Sequence, residues 1–297
     1  MAQPDLRKVA ADAPDGGRVR ALAGLALLAL AGCGGAATQD TPPAAAQPRF
    51  EAMAVAGGER ASQLASGERL SRVLGCQGCH GADLRGQPWE EDADLAISFS
   101  SNLTRALPAY SDAQIERAMR GGVRADGTAL WGMPSEIFTD LDPADLAALI
   151  AYLRTLTPGG IVHPRIVFGP RGRRDVASGA FRAAPDLARA RHRQGPPRLD
   201  GRHELARYIT RATCGECHGI ELKGEQWPPG EPSPPDLIVA GAYSRAQFRQ
   251  LMRTGEASGG RRLRLMDEVA RGRFAHLTER EVDAVYDYLV ARANAPQ

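Results

Sequence analysis

The feature that most constrains this chain of 297 residues is a five-residue motif that occurs twice. The segment Cys76–His80 (CQGCH) in the first half returns as Cys214–His218 (CGECH) in the second half. Each copy places two thiols three residues apart and follows the second thiol with an imidazole. Any fold of this chain must therefore bring the same three reactive groups together in two places.

Two thiols and an imidazole at the spacing C-x-x-C-H are typical of covalent haem attachment. The thiols add to the two vinyl groups of a haem, and the imidazole binds the iron. The residues that this interpretation assigns to two haem c groups are Cys76, Cys79 and His80 in the first copy and Cys214, Cys217 and His218 in the second.

Three other uses of paired cysteines compete with haem attachment. A zinc ribbon usually separates its cysteine pairs by about 15 to 20 residues, whereas 134 residues lie between Cys79 and Cys214. A thioredoxin-like redox site requires a βαβ setting, which the flanking sequence does not indicate. A structural disulfide is the third alternative. The duplication and the histidine that ends each copy favour haem.

The fifth cysteine, Cys33, follows an apolar run at residues 21–31 that two arginines precede. The run is too short to span a bilayer, which takes roughly 20 residues, and is typical of a secretory signal. Its end, Leu30–Cys33 (LAGC), resembles the lipobox of bacterial lipoproteins. The resemblance implies a signal peptide over 1–32, lipidation of Cys33 and, because Gly34 follows, the outer membrane. An ordinary cleaved signal with an incidental cysteine is the alternative.

Composition and periodicity divide the rest of the chain. Residues 33–57 are rich in Ala, Gly and Pro and are predicted to form a flexible tether. Two domains are predicted at 58–157 and 199–297, joined by an Arg-rich linker at 158–198. Only 5% of the residues are aromatic, so a haem in each domain would supply apolar bulk that the side chains lack.

Two helices are predicted in the first domain. Apolar residues at helical spacing between Glu59 and Leu74 predict a helix that leads into the first motif. Asp142 before Pro143 is a typical helix start, and the helix is expected to end at Pro158–Gly160. The second domain carries the corresponding start as a capping box that begins at Thr278.

The linker at 158–198 carries nine arginines against two aspartates, a net charge of +7, without helical or strand periodicity. It is expected to wrap along the domain surfaces. The charge fits either simple solvation or docking to an anionic partner. The first domain has a net charge of −5 and the second of 0, which predicts salt-dependent steering of redox partners. Nucleic acid is not an expected partner of a secreted lipoprotein.

The duplication extends beyond the two motifs. Three sets of residues match at nearly constant offsets, as small loop differences within a duplicated domain would produce. The pairs are Gly81/Gly219, Leu84/Leu222, Gly86/Gly224 and Trp89/Trp227 at an offset of 138, Tyr110/Tyr243, Ser111/Ser244, Met119/Met252, Arg120/Arg253 and Met133/Met266 at 133, and Leu141/Leu277, Tyr152/Tyr288 and Leu153/Leu289 at 136.

With these matches, both halves resemble class I cytochrome c domains, over about residues 58–157 and 200–293. The pair resembles the dihaem c-type cytochromes that serve as electron carriers or as cytochrome subunits of periplasmic dehydrogenases. Segments such as Trp131–Pro134 and Ala151–Arg154 lie where that family places a haem-facing loop and its last helix. The resemblance implies an all-α fold of tandem duplicated domains, each a small helical fold around a covalently bound haem.

The family usually completes its iron site with a methionine before the last helix. Met133, which a proline follows, fits this place in the first half, and Met266 fits it in the second, although an aspartate follows there. Met119 is the first rival, on an apparent helix where methionine more often packs in the core. Its counterpart Met252 is the rival of Met266.

Free histidines are further candidates for the sixth ligand. His163 and His192 lie in the linker, and His203 and His276 lie in the second domain. A bis-histidine site at His203 or His276 would lower the reduction potential, whereas a methionine ligand raises it.

Two six-coordinate irons leave no open position for a substrate, which predicts an electron carrier and not an enzyme. The leading interpretation is a lipid-anchored periplasmic dihaem cytochrome c. It would take single electrons from a redox-protein donor, such as a periplasmic dehydrogenase, and pass them to an acceptor. The alternative is a dihaem cytochrome c peroxidase-like enzyme, or another haem enzyme with one open iron site, although the His-Asp-Gly segment that such peroxidases carry is missing from this sequence.

Overall fold

The computed structural model describes residues 48–226 and 233–295, and most of these are helical. The predicted signal peptide, the lipidation site Cys33, most of the predicted tether and Trp227 lie outside the described residues. The predicted all-α fold is confirmed, with one small sheet in addition.

Thirteen α-helices and three short strands follow one another within the described ranges. The helices are α1 (Gly58–Val73), α2 (Cys76–His80), α3 (Leu103–Ala106), α4 (Asp112–Gly121), α5 (Ser135–Phe138), α6 (Pro143–Leu153), α7 (Pro170–Ser178), α8 (Ala184–Arg191), α9 (Glu204–Thr213), α10 (Gly215–His218), α11 (Arg245–Thr254), α12 (Arg264–Gly272) and α13 (Glu279–Asn294). The strands are β1 (Pro88–Glu90), β2 (Ala96–Phe99) and β3 (Val167–Phe168), which form an antiparallel sheet in that order.

The same series of helices occurs in both halves. A long helix, α1 or α9, leads into a motif helix, α2 or α10, and a last helix, α6 or α13, packs against the long one. The helix between them, α4 or α11, begins in each half with a capping box, at Ser111 and at Ser244. The duplication inferred from matched residues is therefore a duplication of architecture.

The predicted helix starts are confirmed, whereas one predicted end is late. The Asp142 side chain accepts a hydrogen bond from the backbone of Ala144, and Thr278 forms the predicted capping box with Glu281. Helix α6 ends at Leu153, several residues before Pro158. Beyond the helix, the Asn102 side-chain amide donates hydrogen bonds to the carbonyls of Gly159 and Ile161, which hold this segment against the first half.

The segment predicted as an irregular linker contains α7, α8 and β3. Strand β3 pairs with β2, and α8 packs on α4 and α5, so the segment adds to the first half. Its helices escaped the periodicity analysis because they bury small residues, Gly172, Ala184 and Ala188, in place of a stripe of large apolar ones.

The linker arginines meet acidic side chains of the first half. Arg165 pairs with Asp126, Arg171 with Asp92, and Arg191 lies 3.6 Å from Glu136. The sequence left open whether these arginines are simply solvated or bind an anionic partner. Some of them instead pair with acidic side chains of this same chain.

The end of the predicted tether is packed and not free. Phe50 is only 2% exposed and lies against the ring of Tyr208 from α9, with ring centroids 5.3 Å apart. The backbone amide of Phe50 donates to Asp145 and that of Glu51 donates to Glu281. The prediction of flexibility is wrong for this stretch, because a buried aromatic ring and two buried acids hold it.

The two halves share one hydrophobic core. Buried side chains of α1 and α6 belong to the same cluster as those of α9 and α13. Over the described residues, no helix combines the length and the apolar character that a bilayer-crossing segment needs.

Candidate haem sites

The first motif begins where α1 ends. Gly75, with φ of +82°, turns the chain after Leu74 and lets α2 start at Cys76. The His80 Nδ1 atom lies 2.8 Å from the backbone carbonyl oxygen of Ser101. A carbonyl can only accept, so Nδ1 carries the proton and Nε2 keeps its lone pair for a metal. Burial also lowers the pKa of His80, which favours the neutral, metal-binding imidazole.

The second motif repeats this arrangement. His218 Nδ1 lies 2.8 Å from the carbonyl oxygen of Pro235, so its Nε2 is likewise the free nitrogen. Burial lowers the pKa of His218 as well. The carbonyls of Ser101 and Pro235 were invisible to sequence analysis, since a backbone acceptor leaves no mark in the residue type.

A strained turn follows each motif at the same place. Leu84 and Leu222 have φ of 60° and 61°, a left-handed conformation that is uncommon for a leucine. Both side chains are fully buried. The Leu84 carbonyl accepts from Leu103, and the Leu222 carbonyl accepts from Leu237. Burial and these hydrogen bonds keep both leucines in the strained conformation. Each turn thereby fixes the loop that carries the carbonyl partner of the motif histidine.

The first motif faces a cavity of about 350 Å³, a size typical of small-molecule and cofactor sites. Its lining includes the predicted site residues Cys76, Cys79, His80, Met133 and the rival Met119, together with Leu74, Leu103, Ile115, Leu130, Trp131, Phe138, Leu149 and Leu153. A largely apolar slot with two thiols, a free imidazole nitrogen and a thioether fits a haem. The structure brings together every residue predicted for the first haem and leaves both methionines in place as candidate ligands.

Three arginines line the same cavity: Arg105, Arg124 and Arg165. Burial, followed by the charge of Arg165, lowers the pKa of Arg124. Arg165 pairs with Asp126, whereas Arg105 donates to the carbonyl of Gly160 and Arg124 to that of Ala129, so two of the three guanidinium groups bind neutral carbonyls. Haem brings two carboxylates, so this wall fits the group that the motif predicts.

Aromatic residues from the linker back this wall of the cavity. Trp131 lines the cavity and packs on Phe168 and Phe181, with ring centroids 4.9 and 5.5 Å away. His163 also lines the cavity, where its ring stacks on Phe99 at 5.1 Å. Sequence analysis missed these contributions because the linker showed no periodicity.

In the second half the two methionine candidates occupy different settings. Met266 lies on α12, partly buried against the core, whereas Met252 lies on α11 and is fully buried. Of the histidine alternatives, His203 packs its ring on Tyr288 at 5.9 Å, and its Nε2 atom lies 3.8 Å from Asp200. Met266 therefore stays a prediction, with Met252 as its rival.

The two motifs adjoin each other. Glu216, inside the second motif, lines the cavity of the first, and the Arg273 guanidinium donates to Glu216 at 2.6 Å. Burial raises the pKa of the Cys76 thiol to about 12 and that of Cys79 and of Cys217 to about 11.

All four motif thiols respond to the same cation. Burial also raises the pKa of Cys214, and the charge of Arg273 opposes this rise at each of the four sulfurs. One side chain thus lies within electrostatic reach of both haem-attachment sites.

The structural disulfide and the zinc site, two of the competing uses of the cysteines, find no support in the described ranges. The four motif cysteines are free and form no disulfide there. No group of three His, Cys, Asp or Glu side chains within those ranges converges as a metal site. Covalent haem attachment remains the interpretation that uses all six motif side chains.

Comparison with known proteins agrees with this geometry. The family model of cytochrome c matches residues 64–157 and 204–292. The chain is 24% identical over 258 residues to the fructose dehydrogenase cytochrome subunit of Gluconobacter japonicus, which covers 76% of this chain and 52% of that protein. It is 31% identical over 110 residues to one of the subunits of nicotinate dehydrogenase from Pseudomonas putida, covering 34% of this chain and 9% of that protein. The chain thus spans about half the length of the first relative and a small part of the second.

Proposed function

Since this chain belongs to the cytochrome c family, we propose that it is a dihaem electron-transfer subunit that receives electrons from a dehydrogenase. Membership in the family makes it an electron-transfer haem protein. Two matched segments, each with its own C-x-x-C-H motif, support two haem c groups. The relatives are named as a cytochrome subunit of fructose dehydrogenase and a subunit of nicotinate dehydrogenase, which supports a dehydrogenase as the donor.

The observation that carries the proposal is the pair of histidine hydrogen bonds. Each bond leaves Nε2 as the free nitrogen of the residue that follows two paired thiols. In the first half a methionine, Met133, lines the same cavity. His80 and Met133 would hold the iron of the first haem, and an iron held by both would pass electrons without binding a substrate.

When bound, each haem c would supply a one-electron Fe(III)/Fe(II) couple. The residues of this chain do the rest. The paired cysteines fix the cofactor so that it cannot dissociate when partners come and go. The Ser101 and Pro235 carbonyls hold the imidazoles of His80 and His218 in orientation. The apolar lining limits water in the first cavity, and burial of this kind is one of the factors that set a haem potential.

Attachment is tested by mass and by solvent extraction. The mature protein should carry the mass of two haems after denaturation, and its colour should stay with the polypeptide in acidified organic solvent. The Cys76→Ser/Cys79→Ser variant should lose one haem, and the Cys214→Ser/Cys217→Ser variant should lose the other. A protein without added mass would refute the proposal.

The proposal that Met133 and Met266 would bind the irons is tested with carbon monoxide. The reduced protein should show no spectral change with carbon monoxide, whereas Met133→Ala should open one iron to it and Met266→Ala the other. Met119→Ala and Met252→Ala are the matched controls and should leave both spectra unchanged. A shift in the unsubstituted protein would revive the peroxidase-like alternative with an open iron.

The partner is tested by purification of the full chain from its own membranes. A flavin, quinone-cofactor or molybdenum dehydrogenase should copurify with it and should reduce its haems when given substrate. A chain that purifies alone and accepts electrons from no dehydrogenase of its organism would contradict the subunit role while leaving the haem sites intact.

We further propose that Cys33 carries a lipid that holds the protein on the periplasmic side of the outer membrane. The support is the sequence of residues 18–34, which lies outside the described residues. Labelling with a radioactive fatty acid should mark the protein, and Cys33→Ser should release it into the soluble periplasmic fraction. Release without loss of label would contradict lipidation at this cysteine.

A further inference from the structure

Arg273 lies in the turn between α12 and the 3₁₀ turn Phe274–His276, and its guanidinium contacts the second motif and the residues just before the first. Nη1 donates to Glu216 of the second motif at 2.6 Å. Nε donates to the carbonyl oxygen of Val73, at the end of the helix that leads into the first motif, at 3.2 Å. The side chains of Arg273 and Glu216 are only 11% and 23% exposed.

The backbone just before the first motif leaves room for this side chain. A Cβ atom built on Gly75 would lie 2.7 Å from the Arg273 Cζ atom, so any other residue there would displace the guanidinium. Gly75 also needs its φ of +82° to start α2. The glycine before Cys76 therefore serves two requirements at once: the turn into the motif and the close approach of a cation from the other half.

The equivalent position in the first half is apolar. At the offset of 136 that relates the last helices, Arg273 corresponds to Ile137. Ile137 is 1% exposed, and its Cγ2 atom lies 3.5 Å from a Cβ built on Gly215 of the second motif. Each half thus sends one residue against the motif of the other. Packing alone is satisfied by isoleucine, so the charge of Arg273 needs a separate explanation.

One donor of the guanidinium is left over. Arg273 Nη2 is buried and has no hydrogen-bond partner among the residues that the structure describes. A buried unpaired donor on a charged group costs free energy. A protein can retain such a group where its charge has a function. The same guanidinium binds Glu216 inside the second motif and lies against Gly75, directly before the first motif.

We propose that Arg273 is a positioning residue that joins the two haem-attachment motifs and raises the reduction potentials of both haems together. A fixed positive charge beside a haem favours Fe(II) over Fe(III), because reduction removes one positive charge from the iron. Glu216 opposes this effect from the other side of the ion pair. The proposal rests on the part of the proposed function that places a haem at each motif, and it requires no particular redox partner.

The test is a visible redox titration of the full, haem-loaded protein with four forms compared: the unsubstituted chain, Arg273→Met, Glu216→Gln and the double variant. Arg273→Met keeps the length and apolar stem of the side chain but removes its charge. It should shift both midpoint potentials downward. Glu216→Gln should shift both upward, and the double variant should return both toward the original values.

Arg249→Met is the matched control, because Arg249 pairs with Asp283 on the surface between α11 and α13. It should leave both potentials unchanged. Arg273→Lys keeps the charge and should stay nearer to the original potentials than Arg273→Met. A shift confined to one haem, or shifts of the same sign for Arg273→Met and Glu216→Gln, would overturn the proposal.

A purely structural role gives a different result. It predicts lower stability of Arg273→Met with unchanged potentials, and that outcome also overturns the proposal. Loss of haem from the unsubstituted chain would instead refute the proposed function, and it is read from the absorbance before any titration begins.

Discussion

The third residue of the last helix is acidic in both halves, but the two halves pair it in opposite ways. Asp145 in α6 accepts from the neutral hydroxyl of Tyr208, at 2.6 Å. Glu281 in α13, its counterpart at the offset of 136, accepts from the Arg69 guanidinium, at 2.8 Å. Tyr208 belongs to α9 and Arg69 to α1, so each acid reaches the first helix of the other half.

This reciprocal pairing teaches that the duplicated units are not independent. The backbone amides of Phe50 and Glu51, which are consecutive in the chain, bind Asp145 and Glu281 respectively. The segment before α1 thus lies between the two acids and contacts both halves. A duplicated domain that had kept its own contacts would have paired each acid within its own half.

The first and largest expected effect concerns the charged side of this pairing. Glu281 is 0% exposed and Arg69 9%. Glu281→Ala leaves the buried guanidinium without its partner, and breaking a buried pair in this way typically costs about 3–5 kcal/mol. Urea unfolding of the haem-loaded protein should show this loss in the free energy of unfolding. A loss below about 1 kcal/mol would mean that the pair does not hold the halves together.

A second comparison sets the two haem sites against each other. The first site has a wall built by the linker, and Phe168 contacts both Trp131 and Phe181 there. Phe168→Ala removes a partly buried ring and two aromatic contacts, for an expected loss of about 2–3 kcal/mol. The spectrum of the first haem should change and that of the second should not. Variants that lack one Cys pair allow the spectrum of each haem to be followed alone. Equal spectral changes at both haems would contradict a wall that serves the first site only.

These contrasts also mark how far the sequence could be interpreted. The two motifs, the helix starts at Asp142 and Thr278 and the duplication were all accessible, because each depends on residue types at fixed spacing. The partners of Asp145 and Glu281, the acids at the starts of α6 and α13, could not be predicted, because each pair joins residues of different halves that are far apart in the chain. The sequence of Asp145 and Glu281 alone indicates only a favourable charge at a helix start.

The linker and Arg273 show two further reasons for failure. Helices α7 and α8 bury small residues, so they leave no apolar stripe for a periodicity analysis to detect. Arg273 lies in a short turn, where an arginine would ordinarily be solvated. Its position beside the first motif becomes visible only in the structure, where its guanidinium lies against Gly75. Both features depend on tertiary packing, which no local pattern encodes.

The neutral side of the reciprocal pairing gives a smaller, pH-dependent prediction. Burial holds the pKa of Asp145 above its ordinary value even though Tyr208 and Phe50 donate to the carboxylate. A raised pKa in the folded state stabilises the fold in acid, and that contribution is lost as the pH rises through the folded-state pKa. Tyr208→Phe removes one donor to the ionised form and should cost about 1–2 kcal/mol at neutral pH.

The deficit of Tyr208→Phe should shrink as the pH falls below the folded-state pKa of Asp145, where the carboxyl is protonated. The free energy of unfolding, measured at several pH values, tests this sign. Asp145→Asn is the companion variant and should remove the dependence on pH that Tyr208→Phe accentuates. A deficit that grows in acid would assign the effect to some other group.

The smallest expected effect lies at surface ion pairs near the last helix of each half. The residue at the start of α4 is acidic, whereas its counterpart at the start of α11 is basic. In the first half Asp112 of α4 pairs with Arg154 at 2.7 Å, whereas its counterpart Arg245 of α11 pairs with Asp287 of α13. Beside it, a hydrogen bond from Arg249 lowers the pKa of Asp283. A lowered pKa contributes stability above the unfolded-state value, and that stability is lost as the pH falls through the folded-state pKa.

Asp283→Asn should therefore cost a few tenths of a kcal/mol to about 1 kcal/mol at neutral pH, as exposed pairs do, and should cost nothing in acid. Asp112→Asn is the matched variant in the first half. Raising the salt concentration should weaken both effects at neutral pH, because exposed pairs are screened. If Asp283→Asn matters at neutral pH but responds to neither acid nor salt, the α11–α13 contact depends on packing, and the two halves differ there in shape as well as in charge.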